Sequence, residues 1–305
     1  MDPKIYLVGG YQLFTDETCR TVYELNLRQE CWTTLTQIPR GFTVCCGAVI
    51  SDGGLYVVAG HDGVTTEFSQ KINRFDLSSQ EWSEWPSSFS EPLFINGLAV
   101  TKNEHAAIFC SGDPVQQVNR KISKSNVKSR VFSLLPSYSE TTNPNRIWNG
   151  NLSQVAITPT GTSVLTCGGY DEKDVASTAA FLLDHTQPTR VASMSVPRGS
   201  HGLVTSTRTG RAYAIGGTWI SGGRHSHRTC EAFDADTNRW IFTRRMAKPR
   251  RDFAAASSGN QIFVFGGFHG VDGIFFDSEV YDERSGNWRS GPAVPPGLWN
   301  YTVAA

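Results

Sequence analysis

The sequence predicts an all-β fold: six four-stranded units set radially about an axis, forming one domain over residues 1–305. Three recurring signals predict it. Apolar runs end on a pair of small residues near 9, 59, 111, 168, 216 and 266, about 50 residues apart. In four repeats an apolar residue followed by Asp or Asn precedes a Trp. A Pro-Arg-like loop and a further apolar stretch come before the small-residue pair. One four-stranded unit cannot bury both of its faces alone. Six units packed side by side can, so a repeat of this length signals a closed array.

The first signal reads as one strand per repeat. It occurs as IYLVGG (Ile5–Gly10), LYVVAG (Leu55–Gly60), AIFCSG (Ala107–Gly112), SVLTCGG (Ser163–Gly169), RAYAIGG (Arg211–Gly217) and IFVFGG (Ile262–Gly267). Short apolar runs bounded by Gly are strand-like. The glycine pair is expected to end the strand nearest the axis, where crowded backbone leaves no room for a Cβ. The second signal predicts a hairpin, in Leu25-Asn26 to Trp32, Phe75-Asp76 to Trp82, Phe233-Asp234 to Trp240 and Tyr281-Asp282 to Trp288. The residues between, as in DLSSQEW and DADTNRW, are rich in turn formers. The Trp is expected to fill the gap between neighbouring units. Repeat four keeps Leu183-Asp184 but has Arg190 in place of Trp, and repeat three offers only RVFSLLP. The third signal, in IPRGFTVCCGAVI, VPRGSHGLVTST and KPRRDFAAASS, supplies a loop and the fourth strand. At the C-terminus, PPGLWNYTVAA has the pattern of the strand that should precede DPKIYLVGG. The last strand is therefore expected to complete the first unit and remove an open edge.

These motifs resemble kelch repeats, and the resemblance runs over essentially the whole chain. It implies a six-bladed kelch β-propeller whose first blade is closed by the C-terminal strand. Repeats five and six are closest in style to the kelch domains of BTB and F-box kelch proteins, which capture partners, often for ubiquitin ligation. The run from Met194 to Gly223 is also similar to part of the galactose oxidase propeller. That family's copper site needs a Tyr cross-linked to Cys, a second Tyr and two His. Here Ser200 and His201 follow the matching Pro-Arg-Gly, and RRDFAA stands where a Tyr-His pair belongs. Copper-radical chemistry is not expected, and no cofactor is.

Composition narrows the function classes. The 28 basic and 28 acidic residues cancel, which argues against a general nucleic-acid binder. No apolar run is long enough to span a membrane. The N-terminus enters a strand directly and shows no secretory leader, so the expectation for a complete chain is the cytoplasm. The seven cysteines sit mostly in apolar, strand-like contexts and are expected to be buried reduced thiols. No phosphate loop, dinucleotide fingerprint, serine elbow or zincin helix is present. His225, His227 and Cys230 lie close in sequence, but third and fourth metal ligands are not evident, so no metal is expected. His61-Asp62 and His269 with Asp272 would make acid–base pairs only if they converged on one pocket.

The loops at one mouth of the ring are the expected binding surface. The loops before the glycine-ended hairpins offer Phe42, Phe94, Trp148, Asn149, Arg198, His201, Asp252, Trp299 and Asn300. Those after the glycine pairs offer Tyr11, His61, Tyr170, Trp219 and His269. Aromatics interspersed with Arg, Asn and His suit recognition of a peptide or a small planar ligand. Two functions follow. One is a recognition module binding a protein or peptide, including a substrate-recognition domain. The other is a stand-alone propeller enzyme or small-molecule binder using the same mouth. A monomer is consistent with either.

Overall fold

The computed structural model describes residues 3–15, 17–39, 46–58, 60, 69, 71–88, 95–100, 105–111, 127–133, 156–160, 163–171, 173–183, 188–221 and 225–305. Among the described residues there is no helix, and six antiparallel sheets of three or four strands form the blades. Blade one orders its strands Thr302–Ala304, Lys4–Val8, Thr21–Asn26, Cys31–Gln37. Blade two runs Gly47–Ser51, Gly54–Val58, Lys71–Asp76, Trp82–Ser88. Blade three contributes Ile95–Val100, His105–Ser111 and Val127–Ser133. Blade four runs Ala156–Thr160, Ser163–Cys167, Ala180–Leu183, Pro188–Arg190. Blade five is Gly202–Thr205, Ala212–Ile215, Cys230–Asp234, Arg239–Thr243, and blade six Ala254–Ser258, Gln261–Phe265, Ser278–Asp282, Asn287–Ser290.

The first strand of each sheet lies beside the first strand of the next, and Ala254–Ser258 of blade six lies beside Thr302–Ala304 of blade one. The sheets thus form a ring in which apolar clusters are shared by neighbours. Val8 and Val22 of blade one pack with Leu55 and Val57 of blade two, and Ile215 of blade five packs with Val264 of blade six. The first blade takes its innermost strand from the C-terminus, with Tyr6 opposite Ala304 and Val8 opposite Thr302. One expectation needs correcting. The glycine-ended strand is second from the axis, not innermost, because the strand that follows the entry loop occupies the centre.

The repeat signature has a register behind it. Leu25, Phe75, Phe233 and Tyr281 stand directly opposite Trp32, Trp82, Trp240 and Trp288. In the last three pairs the rings lie 5.1–5.2 Å apart. The Asp or Asn that follows turns the chain: Asp76 Oδ1 accepts the amides of Ser78 and Ser79, and Asn26 and Asp282 do the same in their own turns. Four residues on, Glu30, Gln80, Asn238 and Gly286 adopt positive φ, as a tight hairpin with a bulge requires. Each indole then reaches back toward the preceding blade. Trp82 Nε1 donates to Thr36 Oγ1, Trp240 Nε1 to the Ala192 carbonyl, and Trp288 Nε1 to that of Arg244. Trp32 meets Phe265 of blade six edge-on. Trp240→Ala should therefore loosen the contact between blades four and five and cost about 2–3 kcal/mol in urea denaturation, less than a fully buried Trp because the ring is half-buried. A loss below about 0.5 kcal/mol would show that the blades do not depend on it.

The glycine pair is explained by what enters above it. At Gly216, φ is +58°, and a Cβ would come within 2.6 Å of the Arg250 carbonyl and 2.9 Å of the Phe253 ring, both from blade six. At Gly217, φ is +88°, and a Cβ would meet His201 and the Gly199 carbonyl of its own blade. The first glycine thus admits the ring of the next blade, and the second admits the entry loop of its own. The same division holds at Gly266, under Tyr301, and Gly267, against Arg251 and Phe253.

Candidate functional site

The entry loops of blades five, six and one follow one plan. Arg198-Gly199-Ser200-His201 corresponds to Arg250-Arg251-Asp252-Phe253 and to Leu298-Trp299-Asn300-Tyr301. The third residue of each, Ser200, Asp252 or Asn300, adopts φ of 51°, 52° or 54°. That left-handed kink suits short polar side chains and turns the fourth residue's ring inward. The second residue of each loop pairs with the segment after its own glycine pair: Gly199 with Thr218, Arg251 with Phe268, Trp299 with Tyr11. Neighbouring loops are also tied. The Asp252 amide donates to the Ser200 carbonyl at 3.0 Å, and Val175 bridges Ile220. The mouth is a knitted surface rather than a set of independent loops.

The Arg of the Pro-Arg signature is held inside this framework. Arg198 is fully buried and donates to the carbonyls of Gly216 and Thr229, to Thr229 Oγ1 and to Glu231 Oε1. Glu231 in turn accepts the amides of Ser195 and Val196. Blade six repeats the device with Arg250, Gly266, Asp277 and Glu279, and Glu279 accepts the amides of Ala247 and Lys248. Arg198, counted among the mouth residues from sequence, therefore presents no group to a ligand. The sequence reading missed Glu231 and Glu279. Their signal was present: in both blades a Glu stands three residues before the turn Asp.

Between blades six and one the mouth holds a cavity of about 390 Å³, lined by Arg251, Asp252, Ala254, Gly267, Phe268, Ile274, Trp299, Asn300 and Tyr301. It brings together Asp252, Trp299 and Asn300 from the sequence-predicted set. Trp299 is 40% exposed and meets Tyr11 edge-on, with ring centroids 6.0 Å apart. Arg251 Nη1 donates to Asp252 Oδ2 at 2.6 Å, and its guanidinium lies 4.8 Å from the centre of the Phe268 ring. Crowding by the surrounding loops pushes the Asp252 carboxyl above its usual range, and Arg251 and Ser200 pull it back. Its side chain stays 46% exposed at the cavity rim. The arrangement offers an apolar wall with an ion pair and an amide at its rim. Such a cavity grips an apolar body and orients its polar ends.

Other predicted residues lie elsewhere. Tyr170 is buried, with its ring under Gly199 and its hydroxyl donating to Ser200 Oγ at 3.3 Å; burial pushes its phenol up to about 12. His201 is also buried, 3.3 Å from Cys167 Sγ. Desolvation, then the charges of Arg198 and His227, push its imidazole down to about 3, so it is neutral. Trp219 stands on the rim of blade five between His225 and His227. His227 Nε2 lies 3.2 Å from the Pro197 carbonyl, and Cys230 is buried, which separates the three residues read as a metal candidate. Among the described residues no group of three His, Cys, Asp or Glu is placed to hold a metal. His269 Nδ1 pairs with Asp272 Oδ2 at 2.8 Å within one loop. Phe42, His61, Phe94, Trp148 and Asn149, with Asp62, lie outside the described residues.

The rim carries apolar side chains that the sequence reading did not single out. Leu13, Phe14, Val175, Ile220 and Val271 are exposed, Phe14 and Val271 at 75%. Each stands in a loop that follows a glycine pair, which was the available signal.

Comparison with known proteins agrees with this geometry. The Kelch motif model matches residues 43–87 and 249–295. Residues of this chain are 34% identical to an F-box/kelch-repeat protein of Arabidopsis thaliana over 28% of this chain and 20% of that protein. Kelch-like protein 41b of Danio rerio is 22% identical over 98% of this chain and 37% of its own length. The chain thus spans well under half the length of these curated relatives. Among solved structures, that of YjhT superposes with a TM-score of 0.69 at 14% identity, covering 93% of this chain and 97% of that one, which shows a shared fold. The motif matched in two repeats, the kelch-like relatives and the blade geometry described above together support a kelch-repeat family for this chain.

Proposed function

We propose that the mouth of this propeller binds a protein partner and that the cavity between blades six and one takes one of the partner's side chains. Kelch-like relatives support a protein-interaction module. The observation that carries the reading is the crown of exposed apolar residues. Leu13, Phe14, Val175, Trp219, Ile220 and Val271 come from the loops of blades one, four, five and six, on the face that holds the cavity. Apolar side chains gathered on one face and bordered by polar residues mark interaction surfaces. The name of the Arabidopsis relative joins kelch repeats to an F-box, and the reading extends on that pattern to a substrate-recognition domain of a longer cytoplasmic protein. Cys19, Cys31, Cys167 and Cys230 are free thiols, in keeping with a reducing compartment.

A peptide-display selection on the whole chain tests this. Peptides enriched on the wild type should bind Trp299→Ala at least tenfold more weakly, about 1.4 kcal/mol, with an unchanged thermal melt, because Trp299 is exposed. Enriched peptides that are indifferent to Trp299→Ala would sink the site assignment. The cavity volume of about 390 Å³ also falls in the small-molecule range, which favours a metabolite as the second reading. Saturation-transfer signals from a metabolite mixture, lost in Trp299→Ala, together with an empty peptide selection would establish it.

A further inference from the structure

In blades one, two, four, five and six, the outermost of the described strands pairs on one side only, so its free amides and carbonyls face water. Proteins normally blunt such edges with polar or charged side chains. At the two positions after the repeat Trp, three blades do so: Thr33-Thr34 in blade one, Ser83-Glu84 in blade two, Arg289-Ser290 in blade six. Blade five departs from this. Its edge strand Arg239–Thr243 carries Ile241 and Phe242, exposed at 53% and 57%. Arg239, Arg244 and Arg245 are also exposed, and among the described residues their guanidinium groups have no hydrogen-bond or ion-pair partner. By contrast Arg289, on the edge of blade six, is tied to Glu30 at 2.5 Å. On the blade-five hairpin Glu231 is buried against Arg198, and Asp234 pairs with Arg211. Asp236 in the turn is the exposed acid that remains.

We propose that the outer edge of blade five is a docking strand for an extended segment of a partner in which apolar and acidic residues alternate. The segment adds as a further strand, drawing main-chain hydrogen bonds from the free side of Arg239–Thr243. Arg239 and Phe242 point to opposite faces of the sheet, so the alternating segment lays its apolar residues on Phe242 and turns its acids to the arginine face. The three unpaired arginines supply the charge that selects carboxylates over ammonium groups. A second copy of this chain fits poorly. Antiparallel pairing of this strand with itself sets the arginines of one copy against those of the other. The site lies on the outer rim and does not rest on the mouth reading.

The test uses the whole chain and a fluorescein-labelled peptide, Asp-Val-Glu-Ile-Asp-Val-Glu, with a counterpart in which lysine replaces every acid. The comparison protein is Ile241→Thr/Phe242→Thr, which installs the residues that blade one carries at the same positions. The acidic peptide should bind wild type, protect the amides of 239–243 from hydrogen exchange, and weaken at least tenfold in the variant with an unchanged melt. Arg239→Gln/Arg244→Gln/Arg245→Gln should weaken it as much and remove its salt dependence, and the lysine peptide should not bind. No binding of the acidic peptide at about 1 mM overturns the proposal, as does equal binding by wild type and both variants. A wild-type dimer that the Thr/Thr variant converts to monomer also overturns it, and assigns the edge to a second copy.

Discussion

Arg198→Met is expected to cost the fold about 3–5 kcal/mol, the loss that follows when one partner of a buried ion pair is removed. Arg198 and Glu231 are both fully out of water, with Nη2 and Oε1 3.1 Å apart. Without the guanidinium, Glu231 keeps two backbone amides but loses its counter-charge, and the carbonyls of Gly216 and Thr229 lose their donor. Urea denaturation should show a lower midpoint at unchanged slope. Arg198→Met/Glu231→Gln should recover part of the loss, because no unpaired charge is then buried. A single-variant loss under about 1 kcal/mol would mean that the pair does not anchor the mouth loops. The expected effect reaches the site as well, since the Gly216 carbonyl that Arg198 holds ends the strand on which the rim of blade five is built.

Acid should unfold the wild type sooner than a His201→Phe variant. Burial holds the His201 imidazole at about 3, whereas an unfolded chain binds that proton near 6.5. Between those values the unfolded state carries more protons, so the stability that neutral His201 provides is complete above pH 6.5. It is lost as pH falls toward 3, at about 1.4 kcal/mol per pH unit, on the order of 5 kcal/mol in all. Phe is the fitting replacement because Phe253 and Tyr301 occupy the equivalent place in blades six and one. Urea midpoints at pH 7.5, 5.5 and 4.5 check this. The wild type should fall and the variant should stay nearly level across that range. Parallel decline of both would assign the acid sensitivity to other groups.

Much of the architecture was legible because the repeat is written in residues with few structural alternatives. Glycine pairs mark positions where a Cβ meets backbone, and the Asp or Asn before a turn satisfies amides that no strand can. The site was less legible. Arg198 and Trp299 come from equivalent entry loops, yet one is buried against Glu231 and the other lines a cavity. His201 and Asp252 likewise read as neighbours of one kind. The left-handed kink at Ser200 sends His201 inward, and the same kink at Asp252 leaves that carboxylate at the cavity.

By itself the sequence determined the all-β repeat, its strand-and-turn punctuation, and the closure of blade one by the C-terminal strand. These depend on local spacing and on which residues tolerate a turn. Only the tertiary structure decided which strand stands innermost, that the Pro-Arg arginines are internal clamps, and that Arg251, Asp252, Trp299 and Asn300 share one cavity. Those facts depend on how entry loops, strands and neighbouring blades meet in space, through contacts whose distances no local pattern encodes.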